Sequence, residues 1–395
     1  MKTALIIWMV VGSIPWLLGL RRAVARVQME RYRLSTRSPS CDASLSVSVI
    51  IPARDERDNI RAAVEACLQQ DHAQMEVCVI DDGSSDGTRA VLDSIVDSRL
   101  RIIDGGDDAL PEGWLGKPWA CHRASQHARG DWLLFVDADV RLAPAAVSRS
   151  VQYAVENELG MVSGLGQLVN VSIGERLIQP VVTGMIIAAN DLTDVNDQEQ
   201  PEKALASGQF LLFERSAYDT LGGHGAVKSN VLDDVGLALA AKESSLGYHL
   251  VHMRELYRCR MYQSGAECWR GWRKNLFPGM ERRWGILGLA IGFQWLFIVG
   301  PLMVFLLAVL QGWGWVILAS TLPLAAMHIL RWYLDGVYGQ PRLFGLLTHI
   351  FSNVLVGFLM MDSAWHTTRG AAVWKGRVIR RSDHSSGGSS SSGST

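Results

Sequence analysis

The chain has 395 residues, 48% of them apolar and 19% charged, with a formal net charge of −1. That near-neutral balance removes the electrostatic case for a nucleic-acid partner, and the length is far beyond what needs a disulfide framework. The averages hide an uneven distribution: apolar residues crowd into 3–20 and about 284–362, and the stretch between them has the composition of a soluble domain.

The first element is ALIIWMVVGSIPWLLGL, Ala4 to Leu20, an uncharged run at the short end of what crosses a bilayer. Its basic residues, Arg21, Arg22, Arg26, Arg31 and Arg33, follow the apolar run instead of preceding it. That order reads as a retained anchor (1–22) with a basic juxtamembrane linker (23–45), not a cleaved leader. By the positive-inside rule the domain that follows is cytoplasmic.

From Ser46 the chain alternates short apolar strands with helical patterns. SVSVIIP is the first strand, Arg57–Gln70 has helical spacing, and MEVCVIDD is the next strand, followed by a helix from about Arg89 to Val96. The strand LRII, a helix through Ala120–Ala128 and the strand DWLLFVDAD continue the series. This spacing predicts a doubly wound, mostly parallel α/β sheet over 46–280, with ligands beyond the carboxyl ends of the strands. Asp55 and Glu56, Asp82, and Asp137 with Asp139 all fall there. Gly83 and Gly87 allow tight turning in DDGSSDGT, and Ser85 or Asp86 is placed to cap the next helix. Asp137-Ala138-Asp139 puts two carboxylates at a strand end, where oxygen ligands suit Mg2+ or Mn2+ beside a diphosphate. Asp233-Asp234 opens the helical segment DDVGLALAAK. Residues 164–190 read either as a loosely amphipathic helix at a membrane or as plain core.

Three more hydrophobic stretches follow: Trp284–Leu310, Trp313–Leu330 and Leu343–Met361. The first contains Pro301 and is long enough to be broken or re-entrant. Arg270, Arg273, Lys274, Arg282 and Arg283 precede it, again on the cytoplasmic side. The membrane helices span 281–364 and a basic tail 365–383 carries Arg369, Lys375, Arg377, Arg380 and Arg381. Three late crossings would leave that tail outside, and two or four would keep it inside; the count stays open. The closing HSSGGSSSSGST (384–395) is an appended linker or disordered tail. Cys41, Cys67, Cys78, Cys121, Cys259 and Cys268 form no CxxC pair and read as reduced structural thiols.

Taken in order, IIPARDERDNI (50–60), VIDDGSSDGT (79–88), FVDADV (135–140), SGQF (207–210) and LDDVGLA (232–238) resemble the inverting family 2 glycosyltransferases of GT-A fold. GWLGKPWACHRA (113–124) and WKGR (374–377) make the chain similar to membrane-anchored lipid glycosyltransferases, the ceramide glucosyltransferase-like, carotenoid-linked and hopanoid-associated enzymes. The resemblance implies a nucleotide-diphosphate sugar donor, UDP-linked, a membrane lipid hydroxyl as acceptor, and Mg2+ or Mn2+. It implies Asp55 or Glu56 near the uracil, Asp82 on the uridine, Asp139 as main metal ligand and Asp137 on the ribose or the metal. Lys117 is a candidate for the donor phosphate or sugar, and Asp234, ahead of Asp233, for the general base. Where the family carries Gln-x-x-Arg-Trp, this chain has Glu267-Cys268-Trp269-Arg270-Gly271-Trp272; Arg270 and Trp272 are candidates for the same duty, or for a helix resting at the headgroups. The expected location is the inner or plasma membrane, multi-pass. The rival readings are a nucleotidyltransferase of similar fold and a non-catalytic membrane scaffold. A dinucleotide oxidoreductase is disfavoured, because no G-x-G-x-x-G follows the first strand.

Overall fold

The computed structural model describes residues 1–27, 30–38, 44–106, 110–369, 373–374 and 377–378. Cys41, residues 370–372, most of the basic tail and the terminal linker lie outside the described residues. Helix α1 (Lys2–Val27) is longer than the uncharged run because Arg21 and Arg22 continue it. The central unit then alternates as the hydrophobic pattern requires: β1 (Val47–Ala53), α2 (Ile60–Leu68), β2 (Met75–Asp81), α3 (Thr88–Asp93), β3 (Leu100–Asp104), α4 (Gly116–His127), β4 (Trp132–Val136), β5 (Val140–Leu142), α5 (Ala146–Glu156), β6 (Met161–Leu165) and β7 (Gln167–Leu168). Next come α6 (Ile173–Ala189), α7 (Leu192–Val195), β8 (Phe210–Glu214), α8 (Arg215–Thr220), α9 (Asp233–Glu243), β9 (Tyr248–His252), β10 (Tyr257–Cys259) and α10 (Gly265–Gly279).

Seven strands form one sheet in the order β3-β2-β1-β4-β8-β6-β9, and only β8 runs antiparallel to its neighbours. β1, β2 and β4 are apolar throughout because both faces of the sheet are covered. Ile60, Val64, Val147 and Val151, from α2 and α5, fill one face; Ala120, Ala124, Leu237 and Ala241, from α4 and α9, fill the other. A mostly parallel sheet between two helical layers is the GT-A-like arrangement. A small second sheet, β5-β10-β7, is built at the carboxyl edge of β4. It turns the chain so that Asp139, just before β5, stands beside Cys259 on β10.

Residues 164–190 resolve into β7 and α6, and the start of α6 is a capping box that the sequence reading passed over: Ser172 Oγ accepts from the Glu175 amide and the Glu175 side chain returns to the Ser172 amide. The five described cysteines are free and buried.

After α10 the chain forms α11 (Trp284–Phe293), a π turn (Gln294–Val299), α12 (Gly300–Leu310), α13 (Gly314–Val337) and α14 (Arg342–Thr368). The stretch containing Pro301 is therefore not broken. The proline sits at the start of α12, where its missing N–H is tolerated, and the wider π turn absorbs the misfit. Among the described residues, four helices are long and apolar enough to cross a membrane: α1, α11–α12, α13 and α14.

The two sheets meet where Gly166 passes under the Tyr257 ring, whose hydroxyl donates to the Gly164 carbonyl at 2.6 Å. A Cβ at position 166 would collide with that ring. Gly166→Ala should lower stability by about 1–3 kcal/mol through overpacking. The check is a fall in the thermal midpoint of the detergent-solubilised protein; an unmoved midpoint would show that the ring has room to retreat.

Candidate active site

Strand polarity decides which side chains meet. β1, β2 and β4 all end on one edge, so the loops after them converge. The first two are laced together. Asp55, held at φ 52°, accepts from the Ser85 amide at 2.8 Å, and its own amide donates to Ser84 Oγ at 3.0 Å. The Glu56 amide donates to Thr88 Oγ1 and the Arg57 amide to Asp86 Oδ2. Asp86 in turn accepts from the amide of Thr88, the first residue of α3, but the N-cap position itself is Gly87, in the left-handed region, and neither Ser85 nor Asp86 occupies it. Asp55 is exposed and braces this lacing, while Glu56 points its charge towards Asp139.

Asp82 is buried between two arginines that the motif reading did not single out. Arg54 Nη1 lies 3.7 Å from its carboxylate and also donates to its carbonyl, and Arg123 Nη2 lies 3.4 Å from the other oxygen. Arg123 belongs to α4 and rests on the Trp119 ring, 5.4 Å from its centroid. The signal was available: Arg54 precedes Asp55 in the first motif, and Arg123 stands six residues after Lys117 in the Trp-rich segment.

Lys117 occupies the first turn of α4. Its ammonium lies 2.6 Å from Asp137 Oδ1 and 3.5 Å from the Gly208 carbonyl. Burial would depress its pKa, but Asp137 and then Asp233 outweigh this and hold it well above the usual lysine value. Gly208, in the loop before β8, also donates its amide to Asp234 Oδ2 at 2.8 Å. The Val235 amide, in the first turn of α9, donates to Asp234 Oδ1. Burial, followed by repulsion from Asp233, pushes Asp234 up to about 6, while Lys117 and the two amides pull it back. Asp233 is buried with Oδ2 unpartnered. One cleft thus brings together Asp137, Asp139, Asp233 and Asp234 with Lys117.

Asp139 is the member least satisfied by protein. Its Oδ1 is buried without a hydrogen-bond partner, and burial, Asp137 and Glu56 push the carboxyl up to about 7. A cation would relieve that combination. No group of three or more His, Cys, Asp or Glu residues among the described ones could hold a metal alone. The donor set fits an ion that takes one or two carboxylates and completes its shell with phosphate oxygens and water.

The two candidates on α10 behave differently. Arg270 is exposed, and Trp272 is buried edge-on to Tyr262 among Ile178, Val181 and Leu359. Among the described residues, no hydrogen bond or ion pair links either to Asp137, Asp139, Asp233 or Asp234. Lys274, one turn beyond Arg270, is the α10 cation whose charge reaches the cleft. Burial and Lys117 lower its pKa while Asp233, Asp137 and Asp234 raise it.

The family model described as Glycosyl transferase family 2 matches residues 48–222. Two curated relatives, both 4,4'-diaponeurosporenoate glycosyltransferases of Staphylococcus aureus strains, are 27% identical over 237 and 252 residues, 59% and 63% of this chain. The matches cover 61% and 65% of those relatives, less than two thirds of their length. Among solved structures, the mannosyltransferase PcManGT from Pyrobaculum calidifontis, in complex with GDP-Man and Mn2+, superposes with a TM-score of 0.51 at 16% identity. It covers 93% of this chain and 99% of its own, a likeness of fold.

Lys117→Met should separate architecture from chemistry. The ion pair is a quarter exposed on each side, so its loss should cost only about 1 kcal/mol of stability. The activity proposed below should collapse while the thermal midpoint moves by a few degrees. Retained transfer would make Lys117 an ordinary surface partner of Asp137.

Proposed function

We propose, for a chain that carries a family 2 glycosyltransferase domain, that the cleft transfers a sugar from a nucleoside-diphosphate sugar, UDP-linked, to an acceptor lipid, with inversion. The observation that carries this reading is the Asp137–Lys117–Gly208–Asp234 chain of contacts at the strand ends, with α6 and the mixed-charge helix α10 packed together through an apolar cluster nearby.

Asp82, steadied by Arg54 and Arg123, holds the nucleoside, and the loops carrying Asp55 and Glu56 close around the base. Asp139 with Asp137 would hold a divalent ion, Mg2+ or Mn2+; the PcManGT complex contains Mn2+. Such an ion supplies charge compensation at the departing diphosphate. Lys117 and Lys274 add fixed positive charge at the same place, where developing negative charge needs it. Asp234 sits across from them as the base. Ionised at neutral pH yet more basic than an ordinary aspartate, it removes the proton of an attacking hydroxyl. Asp233 crowds it and so keeps its basicity up. The basic flanks of α1 and α11 support a place for this unit on the cytoplasmic face of an inner or plasma membrane.

The relatives named for 4,4'-diaponeurosporenoate support an apolar acceptor, and the ending of that name favours a second chemistry. A carboxylate attacks without losing a proton and gives an ester, whereas a hydroxyl needs the base and gives a glycoside. Mild alkali cleaves the first product and spares the second.

For a hydroxyl acceptor, Asp234→Asn should reduce turnover by roughly 10²–10⁴-fold with nucleoside-diphosphate binding little changed. Asp233→Asn should cost less. Because the base must be ionised, the wild-type rate should fall as pH drops through about 6, and the mutant should lose that limb. Weakened donor binding in Asp234→Asn with an unchanged rate from bound donor would make it a binding residue. Chelation should abolish transfer and Mg2+ or Mn2+ restore it; full activity in excess chelator would remove the ion from the scheme.

A further inference from the structure

Among the described residues four helices qualify as membrane spans by length and composition, yet their contacts separate α14 from the other three. α1, α11–α12 and α13 run side by side. Lys2 lies over the Trp313 ring, Met9 packs with Val304, Ala308 and Val316, and Trp16 packs with Ile298, Ala326 and Met327. Gly19 then meets Leu330. These contacts climb in step, so the three rods share a far end at Lys2 and Leu310–Gly314 and a near end at Trp284 and Val337.

α14 is about 40 Å long at 1.5 Å per residue, enough to cross, but both of its ends are held at the near end. Before its first turn, Gln340 accepts from Asn170 Nδ2 at 2.9 Å and donates to the Leu168 carbonyl at 3.0 Å, and Leu168 closes β7 of the catalytic unit. In its last turns, Asp362 accepts from Trp269 Nε1 at 2.7 Å, and Ser363 bridges the Phe277 amide and the Arg273 carbonyl on α10. Phe277 touches Trp284, the near end of α11, at 5.0 Å between centroids. Between these ends the helix passes α13 and then α11. Gly345 abuts Arg331 and Asp335, His349 lies 5.5 Å from His328, and the Asn353 carbonyl accepts from Gln294. Contact levels descend along α13 from Asp335 to His328, meet Gln294 at the end of α11, and then return through Ser363 to α10 beside Trp284, a course that suits a helix lying across the mouth of the bundle.

Two further observations agree. Leu343, Leu347, Phe351, Phe358, Met361 and Trp365 form one exposed apolar stripe along the whole length, while His349, Ser352, Asn353 and Ser363 are buried on the other side. The sequence after α14 is basic, with Arg369, Lys375, Arg377, Arg380 and Arg381. Three late crossings would place those charges opposite Arg21 and Arg22; two place them on the same side.

We propose that α14 does not cross the bilayer but lies within the leaflet on the catalytic side, its exposed stripe facing the acyl chains of that leaflet alone. The chain then crosses three times, and α14 floors the α6–α10 pair from the membrane side. The proposal rests on the reading that α1, α11–α12 and α13 span.

The test uses full-length protein with Cys41→Ser and one new cysteine at a time, Val96→Cys, Gln311→Cys or Thr368→Cys, in sealed vesicles with a membrane-impermeant maleimide. Thr368→Cys should label from the side that labels Val96→Cys, and Gln311→Cys from the opposite side. Labelling of Thr368→Cys together with Gln311→Cys would overturn the proposal. Val96→Cys and Gln311→Cys on one side would overturn the spanning reading and the proposal with it. Should Thr368→Cys be unreactive, protease digestion of a C-terminal epitope decides: removal from the catalytic side supports the in-leaflet helix, and removal from the other side refutes it.

Discussion

Repulsion among carboxylates in one cleft is the constraint around which this molecule is arranged. Asp137, Asp139, Asp233 and Asp234 come from two parts of the chain, the end of β4 and the start of α9, and share the half-buried cation Lys117. Such a cluster is costly without compensating charge, because burial penalises each ionised group and each raises its neighbours. The fold meets part of that cost with backbone amides: the α9 amide of Val235 and the Gly208 amide on Asp234. Asp139 and Asp233 keep unpartnered buried oxygens. A positively charged centre would relieve those oxygens, which is the place the proposed function gives to a divalent ion.

That cleft is tied mechanically to the helices beyond it. α6 and α10 start against each other with Gly174 and Gly265 in backbone contact, a closeness that a Cβ at either position would prevent. The Glu175 capping box fixes the start of α6, and Arg260 adds a charge to the same carboxylate at 3.3 Å. α10 therefore carries Lys274 towards the aspartates on one face while Trp269 and Arg273 grip Asp362 of α14 on another. A shift of the membrane helices would move Lys274 with them.

The sheet was legible in the sequence because its strands are buried on both faces and end in Pro, Gly and Asp. Asp82, Asp139 and Asp234 were legible for the same reason, as carboxylates at strand or helix ends. The bracing of Asp82 by Arg54 and Arg123 was not, since it depends on α4 crossing beside β2, a tertiary fact. Nor was the difference between Arg270 and Lys274: a helix of mixed charge does not announce which face meets a cleft built by residues more than thirty positions away. Helix α14 is a different case. Its hydropathy satisfies the length rule, but that rule reads one chain segment and says nothing of where its ends are held.

The polar side of α14 shows why lying across the bundle is a stable solution. Arg331 and Asp335 pair at 2.8 Å within α13, both buried, and Gly345 leaves the space they occupy; a Cβ there would collide with Asp335. Asn353 is satisfied by the His349 carbonyl and Gln294 by the Asn353 carbonyl. In hydrocarbon each of these groups would go unmet, at a cost of several kcal/mol apiece. The helix turns them inward, onto α11 and α13, and presents only Leu, Phe, Met and Trp to lipid. An amphipathic pattern of this kind, with Arg369 stacked 3.7 Å from the Trp365 ring at its last turn, suits a helix whose end remains near the headgroups. Sequence, packing and charge are all consistent with the proposed geometry, in which α6 and α10 rest on a helix that faces the leaflet on their own side.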